Sequence, residues 1–131
     1  MIGAEKFEGS AHDTVKRIDK VHKSGVDIFS VILGEKYYSD DQVYSHFSYI
    51  NKHSKLPLLL HLQKVMNGYG VEPPVVNFSL NLTKRILSLN KFVSLKEDTK
   101  EDNFTKKVIK SLNKNSSIIK AGGGMSAWRK Y

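Results

Sequence analysis

The stretch FVSLKEDT, residues 92–99, sets an apolar run directly against a charged cluster. Phe92, Val93 and Leu95 read as a buried strand, and Lys96 arrives where such a strand leaves the core. Side chains alternate along a strand, which puts Phe92, Ser94 and Lys96 on one face and Val93, Leu95 and Glu97 on the other. If the second face packs on helices, Lys96 points the opposite way, at the C-terminal end of its strand. In a parallel α/β barrel that is where reactive groups gather. A lysine stripped of water there becomes a nucleophilic amine near neutral pH. The ordinary alternative is a solvated strand end.

Working outward, short apolar runs alternate with amphipathic stretches. DIFSVILG (27–34), LPLLLHL (56–62) and SSIIKAGGG (116–124) are the other strand candidates, with Pro57 tolerated near a strand start. The runs are continuous rather than alternating, as in parallel strands covered on both faces. Between them lie helical patterns. Val15, Ile18 and Val21 recur at helical spacing ahead of Gly25, and Val43, Phe47 and Ile50 form another face behind a Ser39/Gln42 capping box. Phe78, Leu82, Ile86 and Leu89 make a third face, and Phe104, Val108 and Leu112 a fourth. A βαβ series implies a parallel sheet, either a doubly wound open sheet or part of a (β/α)8 barrel. The irregular segment QKVMNGYGVEPPVVN (63–77) follows a strand, where such proteins place functional loops.

Composition narrows the function. A chain of 131 residues with 40% apolar content suits one domain with a real core. No run approaches the ~20 apolar residues of a membrane helix. The start MIGAEKFEGS has no signal-peptide pattern, and cysteine is absent, which removes disulfides, thiolate nucleophiles and cysteine zinc sites and fits a cytoplasmic protein. The net charge of +8 permits anionic partners. It is spread over Lys16/Arg17/Lys20, Lys84/Arg85, Lys106/Lys107/Lys110 and Arg129/Lys130, without the interleaved aromatics of single-strand binders. Solvated helix faces explain it better than nucleic acid. His12, His22, His46 and His53 are scattered and make no metal signature, so no metal is expected. The glycine run at 122–124 lacks the Lys-Ser/Thr partner of a phosphate loop.

FVSLKEDT resembles the sixth-strand segment of the dihydrodipicolinate synthase/N-acetylneuraminate lyase family, which runs hydrophobics, then Lys-Glu/Asp, a small residue and Ser/Thr. The likeness continues in register through most of the chain. GVDIFSVILGEKYYSDDQVYSHFSYI (25–50) is similar to the family's fourth strand and helix, with a tyrosine pair and a YxHF helix. LPLLLHLQKVMNG (56–68) is similar to the fifth-strand stretch, IIKAGGG (118–124) falls where the seventh strand ends, and residues 1–25 match the tail of the third strand and its helix.

The resemblance implies a class I aldolase-type lyase or synthase on a TIM barrel, with Lys96 as the Schiff-base lysine for pyruvate or another 2-oxo acid. It implies no cofactor and a homo-oligomeric full-length form. It puts His61 where the family has a proton-relaying tyrosine; an imidazole can shuttle protons, or simply fill that space. Met66 falls where the synthase branch grips a carboxylate with arginine, which argues against dihydrodipicolinate synthesis itself, and no motif places nearby Lys64 in the site. Tyr37 and Tyr38 resemble the tyrosine pair, and Gly122 the glycine that lets backbone approach the substrate. The Gly-Thr-Thr/Ser-Gly turn and an eighth strand have no counterpart. Residues 1–131 are therefore expected to be one partial barrel domain, covering roughly the third to seventh strands and incomplete at both ends, since a full barrel takes about 250 residues. Two open edges and an inner apolar face would then meet water, and a catalytically incompetent or decayed relative is the alternative.

Overall fold

Serines start three of the helices. In the computed structural model, which describes residues 1–4, 10–33, 39–63, 78–98, 102–112 and 119–122, Ser10, Ser39 and Ser79 each accept a bond from a backbone N–H in the first turn that follows. Ser10 with Asp13 and Ser39 with Gln42 close full capping boxes. The elements run β1 (Ile2–Ala4), α1 (Ala11–His22), β2 (Ile28–Val31), α2 (Asp40–His53), β3 (Leu58–Gln63), α3 (Leu80–Leu87), β4 (Phe92–Asp98), α4 (Asp102–Leu112) and β5 (Ile119–Gly122). Phe78, expected on a helical face, precedes the Ser79 cap and packs its ring against Phe47 of α2.

The strands form one five-stranded sheet in the order β1-β2-β3-β4-β5, and every pairing is parallel. This order separates the two architectures left open by the sequence. A doubly wound sheet reverses direction at a switch point. Here each strand adds beside the last, so right-handed crossovers send successive helices to the same side. Successive helices accordingly touch: α1 with α2, α2 with α3, and α3 with α4. This is the winding of a barrel wall.

The core lies between sheet and helices. Phe29, Val31, Leu58, Leu60, Leu62, Phe92 and Leu95 come from the strands. Ile18, Val43, Phe47, Ile50, Leu82, Ile86, Val108 and Leu112 come from the helices. At the β1–β2 edge, Gly3 pairs with Phe29, and a Cβ there would stand 2.8 Å from the ring's Cδ2, so only glycine leaves the aromatic its place. Leu59 and Ile32 lie outside this core yet are buried, whereas the sequence led to an inner face open to water.

Polar fastenings gather where the strands begin. Asn51 donates to Asn90 Oδ1 at 2.9 Å and accepts from the Lys91 backbone N–H at 2.9 Å. Lys91 Nζ donates to the Ser54 carbonyl, and the Ser54 hydroxyl donates to the Leu56 carbonyl at 2.8 Å. These bonds tie the end of α2 to the entries of β3 and β4, where burial without partners would be costly.

One expectation fails within β4. Leu58 pairs with Phe92, but Leu59 pairs with Ser94, so Val93 has no partner on β3 and the strand carries an extra residue. Val93 is 36% exposed, whereas Phe92 belongs to the helix-side core and meets the Phe47 ring edge-on at 5.9 Å. Plain alternation had put Phe92 on the face of Lys96; the inserted Val93 returns it to the other. Above Val93 the expected parity holds.

Candidate active site

The residues expected to carry chemistry sit near the C-terminal ends of β3, β4 and β5. β4 is longer than its apolar run suggests, because the ladder continues through the charged residues: Lys96 pairs with His61 and with Ala121, and Glu97 with Leu62 and Gly122. The row below is Leu59 beside Ser94. On β3, Leu58, Leu60 and Leu62 are fully buried in the core, which turns Leu59 and His61 to the opposite face. Leu95 lies in the core in the same way, so Ser94 and Lys96 share the face of Leu59 and His61.

An amine and an imidazole thus stand on neighbouring strands at one level, on the side away from the helices. Both are half-buried. The backbone of Gly122 lies one step beyond Ala121, across β4 from Leu62. Lysine supplies a nucleophile and histidine a group able to take or give a proton, the two functions that covalent carbonyl chemistry needs. Tyr37 and Tyr38 of the resembled tyrosine pair lie outside the described residues, as do Lys64, Met66 and the rest of the segment 64–77.

A feature the sequence reading missed is Glu97. It faces the helices, only 5% exposed, and accepts a hydrogen bond from the Thr105 hydroxyl of α4, itself 6% exposed. The signal was present, since Thr105 sits between Phe104 and Val108 on the buried side of α4, but a polar residue within an apolar stripe does not announce its partner.

One other place holds a buried titratable group. His46 of α2 stacks edge-on against Phe47 at 5.4 Å, and burial pushes its imidazole down to about 4, so it is neutral at pH 7. It borders a cavity of about 610 Å³ between the first turns of α1 and α2, with Ser10, Leu33, Gln42 and Tyr49. The polar lining is already engaged: Ser10 with Asp13, Gln42 with Ser39, and Asp41 with Arg85 at 3.0 Å. This cavity belongs to the helix layer rather than to Lys96. Among the described residues no three His, Asp or Glu side chains cluster as metal ligands would, and no helix is long and apolar enough to cross a membrane.

No family model matches the sequence, and no curated protein does. Solved structures do match. A dihydrodipicolinate synthase from Bacteroides thetaiotaomicron superposes with a TM-score of 0.73 at 14% identity, over 94% of this chain and 38% of that one. An N-acetylneuraminate lyase from Mycoplasma synoviae gives 0.65 at 12% identity, over 91% of this chain and 38% of that one. The family that the sequence resembles is thus the one whose structures the fold matches. The chain carries, along nearly all of its own length, the fold of part of the dihydrodipicolinate synthase/N-acetylneuraminate lyase barrel, and it spans less than two-fifths of those proteins.

Proposed function

We propose that this chain carries the Schiff-base portion of a (β/α)8 lyase or aldolase acting on pyruvate or a related 2-oxo acid. In this reading its strands are the third to seventh of the barrel, and residues 1–131 form one partial barrel domain. The supporting observation is the level shared by Lys96 and His61 on the sheet face away from the helices. The Lys96 amine adds to the substrate's C2 carbonyl, and the carbonyl oxygen leaves as water as the C=N bond forms. The protonated imine then accepts the electron pair of the bond broken at C3, which gives an enamine: the C3 proton of pyruvate passes to His61, or the C3–C4 bond of a 4-hydroxy-2-oxo acid breaks as its C4 hydroxyl gives its proton to His61 and C4 leaves as an aldehyde. His61 moves the protons of addition and water loss, in the place of the family's tyrosine. Gly122 leaves room for the substrate to approach the backbone. The barrel's other strands complete the surroundings of the bound substrate, and the complete protein is a cytoplasmic homo-oligomer.

The test is incubation with pyruvate and borohydride, followed by peptide mass spectrometry. A reduced pyruvyl adduct at Lys96, lost in Lys96→Met and slowed in His61→Phe, is the expected result. A folded protein with no adduct at Lys96 defeats the reading.

A second reading, a catalytically incompetent relative or fragment that keeps the wall but not the site, draws on Met66, which stands where the resembled synthases grip a carboxylate with arginine. An amine without a carboxylate clamp is poorly positioned for its substrate. Trapping at the rate of an exposed lysine such as Lys52 would favour it. A basic nucleic-acid module is the least supported alternative, and absence of binding at low salt would end it.

A further inference from the structure

The helix-facing side of β4 and of its neighbour β3 is apolar until Glu97. Phe92 and Leu95 precede it, and its partner across the ladder is the fully buried Leu62. A leucine would pack there without cost, whereas a buried carboxylate is unfavourable unless hydrogen-bonded. The hydroxyl of Thr105 supplies a bond, from the first turns of the helix that follows.

We propose that Glu97 and Thr105 are positioning residues that hold Lys96 on the inner face by fixing the register of β4, an inference that rests on the reading of Lys96 as the Schiff-base amine. The unpaired Val93 gives this strand a place to absorb a slip. A slip of one residue would exchange the faces, sending Lys96 toward α4 and Glu97 to the inner side. Leu95 resists it by burial alone, and an apolar side chain is satisfied in any core position of suitable size. Glu97 resists it by direction, because the Thr105 hydroxyl is reached from one register and not from the other. The anchor sits one residue from the amine and on the opposite face, where it can aim Lys96 without touching a substrate.

The test uses the whole chain as wild type, Thr105→Val and Thr105→Ser, with circular dichroism to establish folding. Lys96 is labelled with formaldehyde and cyanoborohydride and followed by peptide mass spectrometry against exposed Lys52 on α2 as internal reference. Thr105→Val lowers the Lys96-to-Lys52 labelling ratio and slows pyruvate trapping on the order of 10-fold or more. Thr105→Ser, which keeps the hydroxyl, restores both. If Thr105→Val fails to fold, E97D, which draws the carboxylate back by one methylene, carries the same expectation. A folded Thr105→Val or E97D chain with wild-type labelling of Lys96 overturns the proposal. If the wild type traps no pyruvate but labelling falls in Thr105→Val and returns in Thr105→Ser, the positioning role stands and the Schiff-base reading falls.

Discussion

Deletion of Val93 should be nearly silent, which is an unusual expectation for a residue inside a central strand. Val93 has no partner on β3 and is 36% exposed. Its removal leaves Phe92 opposite Leu58, Ser94 opposite Leu59 and Lys96 opposite His61, so every other side chain keeps its face. The loss is the contact area of one partly exposed valine, about 0.5–1 kcal/mol. Deletion of Leu95 is the control. That residue is 1% exposed, and its loss brings either Ser94 or Lys96 onto the core face. The cost is at least that of truncating a buried leucine, about 3 kcal/mol or more. Urea unfolding followed by circular dichroism separates the two, because a 2 kcal/mol gap is roughly 30-fold in the folding equilibrium. Pyruvate trapping at the lysine should survive the first deletion and fail in the second. Under plain alternation Val93 would instead share the core face with Leu95, and its deletion would remove a buried side chain and reverse the face of Phe92, at about 2–5 kcal/mol. A Val93 deletion as damaging as that of Leu95 would refute the extra-residue account of β4.

Two further outcomes follow from other parts of the molecule. The folded His46 titrates near 4, below the unfolded value of about 6.5, so its contribution is complete above pH 7 and is lost as pH falls from about 6.5 to 4. Discounted for its partial contact with solvent, the loss is about 1–2 kcal/mol. His46→Gln should flatten that part of the pH dependence of urea midpoints, and an identical profile in wild type and variant would refute the assignment. Asn51→Ala leaves the Lys91 N–H and Asn90 without their partner and should cost about 1–3 kcal/mol in the same assay. It should leave the rate of Lys96 trapping per folded molecule unchanged, and a fall in that rate would show that the two ends of the sheet are coupled.

Much of the architecture was legible because parallel strands and amphipathic helices have different periods. Val43, Phe47 and Ile50 could only be one helix face, and LPLLLHL could only be buried on both sides. Winding direction was not legible from the pattern, because both parallel architectures use the same strands and helices and differ in where each strand adds. β4 shows a second limit. Alternation is a rule of counting, and one inserted residue at Val93 reverses the count for Phe92 without altering the composition. The strand's full length was hidden as well, since Lys96 and Glu97 look like a charged exit until Ala121 and Gly122 pair with them. Glu97 shows a third limit: a buried acid is indistinguishable in sequence from a solvated one until its donor, Thr105, is placed on the adjoining helix.

The bonds among Asn51, Asn90, Lys91 and Ser54 have a consequence for how such a chain can change over time. They fasten the sheet to its helices at the ends where strands enter, away from Lys96 and His61. Substitutions at the opposite rim therefore do not loosen these fastenings. Residues at that rim can change while the wall stays assembled, so a chain can keep a TM-score of 0.73 to a protein with which it shares 14% of its residues.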